Sequence, residues 1–356
     1  MQISDLEFHW IPLRRVRAEP CGKRPIRGSL LVRLISDGGL EGWGETPTSW
    51  REDETANRRE HYLPLVAGRS VFAVEELLRL DGLDDLGLRC ALEVACRDLI
   101  GKIAGQPLCH LTGGMFRDRV PVAVRLEGDS VDAVVVRARE FLEAGFTTQV
   151  LAAGRGLDED VRRFRAVREA VPDHVDVQLD AMCGYSLDDA KELCSQLEEL
   201  GNPVVIDPVG EGDLDAVTRL QRQVTATLAV KRGIHEPADV LRLLHSGEME
   251  RVIIDPIRVG GMTRVRECAT VAGSGGLVAS LSVSTAVGPV TAAMIHTAAS
   301  TPSVSGCIEC PVVSMLELGI TGPWEIVDGM IHVPDGAGLG IEVDLQRLDR
   351  VADLPD

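Results

Sequence analysis

The sequence predicts an α/β fold: a parallel barrel of βα units, with an α+β domain ahead of it and a short β-rich tail behind it. Three observations carry this expectation. Four apolar runs, VDVQLD, VVID, TLAVK and RVIID, end on Asp180, Asp207, Lys231 and Asp255, at steps of 27, 24 and 24 residues. Amphipathic segments such as 187–200 and 236–248 fill the gaps, and a β-run alternating with a helix of this length marks parallel βα units. After Glu309 the chain makes no eighth full helix and runs instead through short β segments. If the sheet closes, the charged strand ends all face one mouth, the face that carries the chemistry in such barrels.

Taken in order, residues 1–46 read as a β-meander, with Asp37-Gly38-Gly39 as a hairpin turn before LEGWGE. The polar segment 14–27, with Pro20, Gly22 and Pro25, reads as a loop, and 46–57 as a second loop carrying Trp50. Helices are expected near 54–67, 72–80 and 85–104, the last stopped by Gly105-Gln106-Pro107, and 110–120 reads as a linker. The eight barrel strands are expected at 121–125, 148–152, 175–180, 203–207, 226–231, 251–255, 277–282 and 305–309, with seven helices between them. The division is then 1–118 for the first domain, 119–321 for the barrel and 322–356 for a tail that returns to the first domain.

Composition narrows the function. The chain has 356 residues, 45% of them hydrophobic, ample for a core. A net charge of −18 argues against nucleic acid or anionic membrane as a partner. No apolar run approaches the roughly 20 residues of a membrane span, and the start, MQISDLEFHW, has neither the basic end nor the apolar centre of a signal peptide. Nine scattered cysteines suggest reduced thiols in a cytoplasmic chain, with Cys307 and Cys310 as packed thiols rather than half of a zinc site. Only four lysines occur: Lys23, Lys102, Lys191 and Lys231. A lysine can shed its proton and serve as a base where arginine cannot, so a lysine mechanism has four candidates.

GWGE (42–45), DLIGKIAGQPL (98–108), the strand ending at Asp180, RVGG (258–261) and VPDGAGLGIEVD (333–344) together resemble the muconate-lactonizing enzyme and mandelate racemase branch of the enolase superfamily, over nearly the whole chain. The resemblance implies an α+β capping domain on a (β/α)7β TIM-like barrel, and proton abstraction next to a carboxylate with the enolate stabilised by Mg²⁺. Racemases, epimerases, cycloisomerases and acid-sugar dehydratases of the superfamily share that step. The resemblance also implies a homo-oligomer, a dimer or octamer.

The residues of that chemistry carry over one at a time. The superfamily places metal-ligand carboxylates at the ends of the third, fourth and fifth strands. Asp180 matches the first. The fourth position is Ile206, with Asp207 one step along, so Asp207 replaces it only if the strand end bulges, since successive residues face opposite sides. The fifth strand ends in Lys231-Arg232, two cations where Mg²⁺ needs hard oxygen ligands. No metal is therefore expected. The Lys-x-Lys of the second strand is replaced by Val150-Leu151-Ala152, the lysine of the sixth by Asp255, and the seventh strand, LVASLSVS, holds no histidine.

The expected mouth comprises Lys231, Asp255 and Asp180 as catalytic candidates, with Arg232, Ser282, Glu309 and Trp50 as substrate contacts. Lys231 would stand between Asp180 and Asp255 in place of the metal. Glu309 matches the position at which dipeptide epimerases of the superfamily hold a substrate ammonium. His296 is expected to pack or cap within the seventh helix, and His235 opens the loop after the fifth strand. Three functions follow: a divergent isomerase or lyase acting on a small carboxylate, a non-catalytic small-molecule binder or structural descendant, and a conventional Mg²⁺ racemase, epimerase or dehydratase.

Overall fold

The computed structural model describes residues 1–17, 25–201, 203–210, 212–283, 286, 288–311, 320–322 and 324–345. Three antiparallel strands open the chain: β1 (Ile3–Arg17), β2 (Ile26–Ser36) and β3 (Glu41–Thr48). β1 is longer than the sequence suggested. Part of the expected loop, 14–17, belongs to the strand, with Arg17 opposite Ile26, and residues 18–24 of that loop lie outside the described residues. Four helices follow: α1 (Thr55–Val66), α2 (Val74–Leu78), α3 (Leu86–Ala104) and α4 (Leu108–Leu111). Asp85 caps α3 by accepting from the Leu88 amide, and Gly105 ends it in the left-handed conformation.

α3 lies against β3, and the glycines of GWGE set how closely. A Cβ on Gly44 would stand 1.8 Å from the Ala91 carbonyl oxygen, and one on Gly42 would stand 2.1 Å from that of Ala95. Small residues on both elements let sheet and helix backbones touch, closing a core of Leu6, Leu30, Val32, Leu88 and Leu92.

Eight parallel strands then close into a barrel: β4 (Arg119–Leu126), β5 (Thr148–Ala152), β6 (Asp176–Asp180), β7 (Val204–Ile206), β8 (Thr227–Val230), β9 (Arg251–Ile254), β10 (Val278–Ser282) and β11 (Ile308–Glu309). They pair in chain order, and β11 pairs with β4 to complete the ring. The helices between them are α5 (Val131–Glu143), α6 (Leu157–Ala170), α7 (Leu187–Glu198), α8 (Leu214–Gln221), α9 (Pro237–Ser246), the short α10 (Pro256–Val259), α11 (Met262–Ser274) and α12 (Pro289–Ser300). Ala123, Val150, Val204, Ile206, Ala229 and Ile253 form a compact cluster of their own, separate from the larger core beneath the helices. Such an inner plug is expected where alternate residues of each strand point to the barrel axis. Among the described residues no helix is long and apolar enough to cross a membrane.

The tail touches both parts. β13 (Ile326–Val327) and β14 (Met330–His332) form a hairpin whose second strand adds antiparallel to the start of β4. The preceding β12 (Ile320–Thr321) pairs with β15 (Glu342–Val343). Between them Gly338 exchanges hydrogen bonds with Gln106 and Leu108, and the Leu339 amide donates to Asp98 on α3.

His296 is buried in α12, as its expected packing role requires. Its Nδ1 accepts from the Cys109 amide at 3.3 Å, and Nε2 lies 3.2 Å from the Leu339 carbonyl. Burial pushes its pKa from 6.5 down to about 4. The folded state therefore holds the ring neutral while the unfolded chain takes up a proton. Stability from this site is complete above pH 6.5 and is lost as pH falls toward about 4. Urea titrations across that window should show a shallower pH slope for His296→Gln than for the parent, and equal slopes would contradict the assignment.

Candidate active site

The strand ends bring six ionised side chains together inside the mouth. Asp180, fully buried at the end of β6, is the centre. Lys231 Nζ donates to its Oδ2 at 2.7 Å, Arg232 Nη1 to Oδ1 at 2.8 Å and Arg125 Nη2 to Oδ2 at 2.9 Å. Arg125 also donates from Nε to Glu309 Oε1 at 2.7 Å, and Ser282 Oγ donates to Glu309 Oε2 at 2.9 Å. Lys231 Nζ lies 3.6 Å from that same Oε2. Three carboxylates and three cations thus balance in a space from which water is almost excluded.

Local backbone explains how Asp207 joins them. Ile206 points to the axis, so the next residue of a regular strand would point away. Asp207 instead takes φ 47°, the left-handed region uncommon outside glycine, asparagine and aspartate. This turn swings its carboxylate onto the end of β8. There it accepts from the amides of Lys231 and Arg232 at 2.8 and 3.0 Å and from Arg232 Nη1 at 2.9 Å. Met182 and Cys183, after Asp180, also have positive φ, and the Met182 amide donates to Asp180. Such backbone costs of order 1–3 kcal/mol per residue and persists where the surroundings enforce it.

The electrostatics follow from burial against partners. Burial pushes the Asp180 carboxyl up, but Lys231, Arg232 and Arg125 outweigh it and hold it well below the usual carboxylate range. Burial likewise opposes ionisation of Glu309, and Arg125 with Lys231 prevail, placing it at about 2. For Asp207 burial wins over Arg232, and its pKa is raised. Asp255 is also raised by burial, which Arg258 only partly offsets.

Several expected contacts are placed elsewhere. Asp255 makes no ion pair with Lys231. It caps α10 by accepting from the Ile257 amide at 2.9 Å, with Arg258 at 3.9 Å, and Lys231 turns to Glu309 as its second carboxylate. Glu309 has both oxygens engaged by Arg125 and Ser282, so it does not offer a free carboxylate to a substrate ammonium. Trp50 is not a mouth residue. Its ring stacks on Tyr62 and meets Phe8 edge-on in the first domain's core, because a large ring beside that apolar cluster gains more from burial than from solvent. His235 is exposed, with Nδ1 3.9 Å from Asp239 Oδ2. The residue that sequence reasoning missed is Arg125. The available signal was its parity with the axis-facing Ala123, two positions earlier on β4.

This donor set does not fit Mg²⁺. The ion needs several oxygens in near-octahedral array. Both Asp180 oxygens and one Asp207 oxygen are bound by cationic nitrogens, and Lys231, which the resemblance sets at the third ligand position, is itself a cation. At an intermediate dielectric a dication about 4 Å from one of these nitrogens would be repelled by several kcal/mol.

The β9–α11 turn ties the mouth to the first domain. Glu93, buried on α3, accepts from Thr263 Oγ1 at 2.6 Å and from its amide at 3.2 Å. A Cβ at Gly261 would meet Glu93 Oε2 at 2.1 Å, so glycine permits the approach. Gly260 and Gly261 make the turn tight, with φ 86° and 131°. On the opposite side Glu45 of GWGE accepts from the Gly288 amide at the start of α12.

A family model described as "Enolase C-terminal domain-like" matches residues 133–347. A chloromuconate cycloisomerase of Cupriavidus pinatubonensis is 28% identical over 359 residues, covering 96% of each chain. A hydrophobic dipeptide epimerase of Enterococcus faecalis is 25% identical, covering 88% of this chain and 91% of its own. In three dimensions, the N-succinyl Arg/Lys racemase of Bacillus cereus superimposes with a TM-score of 0.87 at 22% identity, over 100% of this chain and 99% of its own.

Proposed function

The chain belongs to the enolase C-terminal domain-like family, in the branch of muconate cycloisomerases and racemases, and from that premise we propose a divergent isomerase or lyase that moves a proton next to the carboxylate of a small acid without Mg²⁺. The observation that carries the reading is the buried cluster in which Arg125, Lys231 and Arg232 surround Asp180. Removing a proton beside a carboxylate builds negative charge on the carboxylate oxygens. Fixed cations in a water-poor site stabilise such charge because they need no reorganisation as it develops.

The proton itself falls to Asp255. Its pKa is raised, it stands just past the end of β9, the strand next to β8, and it has no cation nearer than Arg258 at 3.9 Å. A carboxylate closer to neutral pH is the better base. Asp180 is held too low to accept a proton and serves as the anion that keeps the three cations in place. Lys231 acts as a positive charge. A second reading, a non-catalytic binder, draws on the same cluster, since every carboxylate within it already has a cation.

The two readings separate in heavy water. A panel of small 2-substituted carboxylates is incubated with the protein and followed by proton NMR. Exchange of the hydrogen next to a carboxylate, unchanged by EDTA and lost in Asp255→Asn, is the expected result. Exchange that requires added Mg²⁺ would restore the conventional metal mechanism, and no exchange across the panel would favour the binder.

A further inference from the structure

We propose that Arg125 is the seat for the substrate carboxylate, and that the site takes a small monocarboxylate rather than a dicarboxylate. This rests on the functional reading above and names its substrate class. Arg125 uses one side of its guanidinium internally: Nε and Nη2 go to Glu309, and Nη2 also goes to Asp180. Nη1 donates to none of the described residues. The cluster is graded in exposure. The side chains of Asp180, Lys231, Glu309 and Arg232 are 0, 4, 6 and 9% exposed, whereas that of Arg125 is 16% exposed. Arg125 is therefore the cation through which the buried network meets the mouth, and its unused amino group can receive an oxygen from outside.

Glu309 and Asp180 hold the other edge, so the guanidinium is fixed before a ligand arrives. A planar guanidinium held in this way receives a carboxylate oxygen with little loss of rotamer freedom. Charge sets the class. Asp180, Asp207 and Glu309 against Arg125, Lys231 and Arg232 leave no formal excess of either sign within the network. One added carboxylate brings the network to a formal charge of −1 and is held by a charge-assisted hydrogen bond from Arg125 Nη1. A second would find no unpaired cation in the cluster, with Asp255 at the neighbouring strand end and a protein of net charge −18 around it.

Propionate and succinate serve as unreactive probes in ligand-observed NMR titrations. Propionate should bind the parent, succinate at least tenfold more weakly, and Arg125→Lys, which keeps a cation beside Asp180 and Glu309, should lose at least tenfold for propionate. A crystal of the parent soaked in propionate should place a carboxylate oxygen on Arg125 Nη1, a measurement that does not depend on the variant folding. Failure of propionate to bind the parent, unchanged affinity in a folded Arg125→Lys, or a bound carboxylate away from Arg125 would overturn the seat. Succinate bound as tightly as propionate would overturn the monocarboxylate class. These probes carry no reaction, so hydrogen exchange can fail while the seat stands, and the reverse.

Discussion

Replacing Lys231 with methionine is expected to lower the unfolding free energy by about 3–5 kcal/mol, the usual cost of removing one member of a buried, hydrogen-bonded charge network. Methionine keeps the stem and removes the ammonium, so Asp180 loses a donor at 2.7 Å and Glu309 loses a charge at 3.6 Å. Neither carboxylate can recruit water readily, since their side chains are 0 and 6% exposed. Chemical denaturation of the parent and variant reads the loss. A variant that unfolds at the same urea concentration, with the same slope, would mean that Arg125 and Arg232 suffice to hold Asp180.

Lys231→Glu should cost more. It leaves four carboxylates facing Arg125 and Arg232, and like charges in a site of low polarity repel strongly. The same change supplies a carboxylate beside Asp180, at the position the resemblance gives to a third metal ligand. Added Mg²⁺ should therefore recover part of the lost stability by binding only the folded protein, by about 2.7 kcal/mol when free metal exceeds its dissociation constant 100-fold. The parent should show no such response, because its oxygens are already bound by nitrogens. Thermal melts of both proteins, with millimolar Mg²⁺ or with EDTA, decide this. A parent stabilised by Mg²⁺ would overturn the conclusion that its donor set does not fit the metal.

The barrel was legible because strand rhythm is local. Runs ending at Asp180, Asp207, Lys231 and Asp255 declare their own spacing, and the helices between them declare a 3.6-residue period. The replacement of a carboxylate pair by Lys231-Arg232 was legible for the same reason, since strand ends can be read one at a time. What could not be read was partner choice. Lys231 had Asp255 as a plausible second carboxylate by sequence, and the fold gave it Glu309, which is adjacent only because β11 closes onto β4. Arg125 was hidden among many arginines in a strand whose alternation reads as polar residues facing water. Asp207 depended on a backbone angle that an aspartate tolerates but does not announce. Trp50 misled because an aromatic ring in a polar stretch suggests a ligand contact, while Phe8 and Tyr62, distant in sequence, supply its packing.

Asp98 has a consequence beyond its own hydrogen bonds. Its carboxylate accepts from the Trp43 amide in β3, the Leu339 amide in the tail and Lys102 on its own helix, so one side chain closes a ring through segments 55 and 241 residues away. Burial pushes its pKa up, and Lys102 with the two amides opposes that only in part. Opening the first domain on its own would strand this acid and the His296 contact with Leu339 together. The energetic boundary of the molecule therefore does not follow its architectural one. The antiparallel sheet, α3, α12 and the tail are expected to open together, and native-state hydrogen exchange should find the amides of Trp43 and Leu339 released in the same opening event.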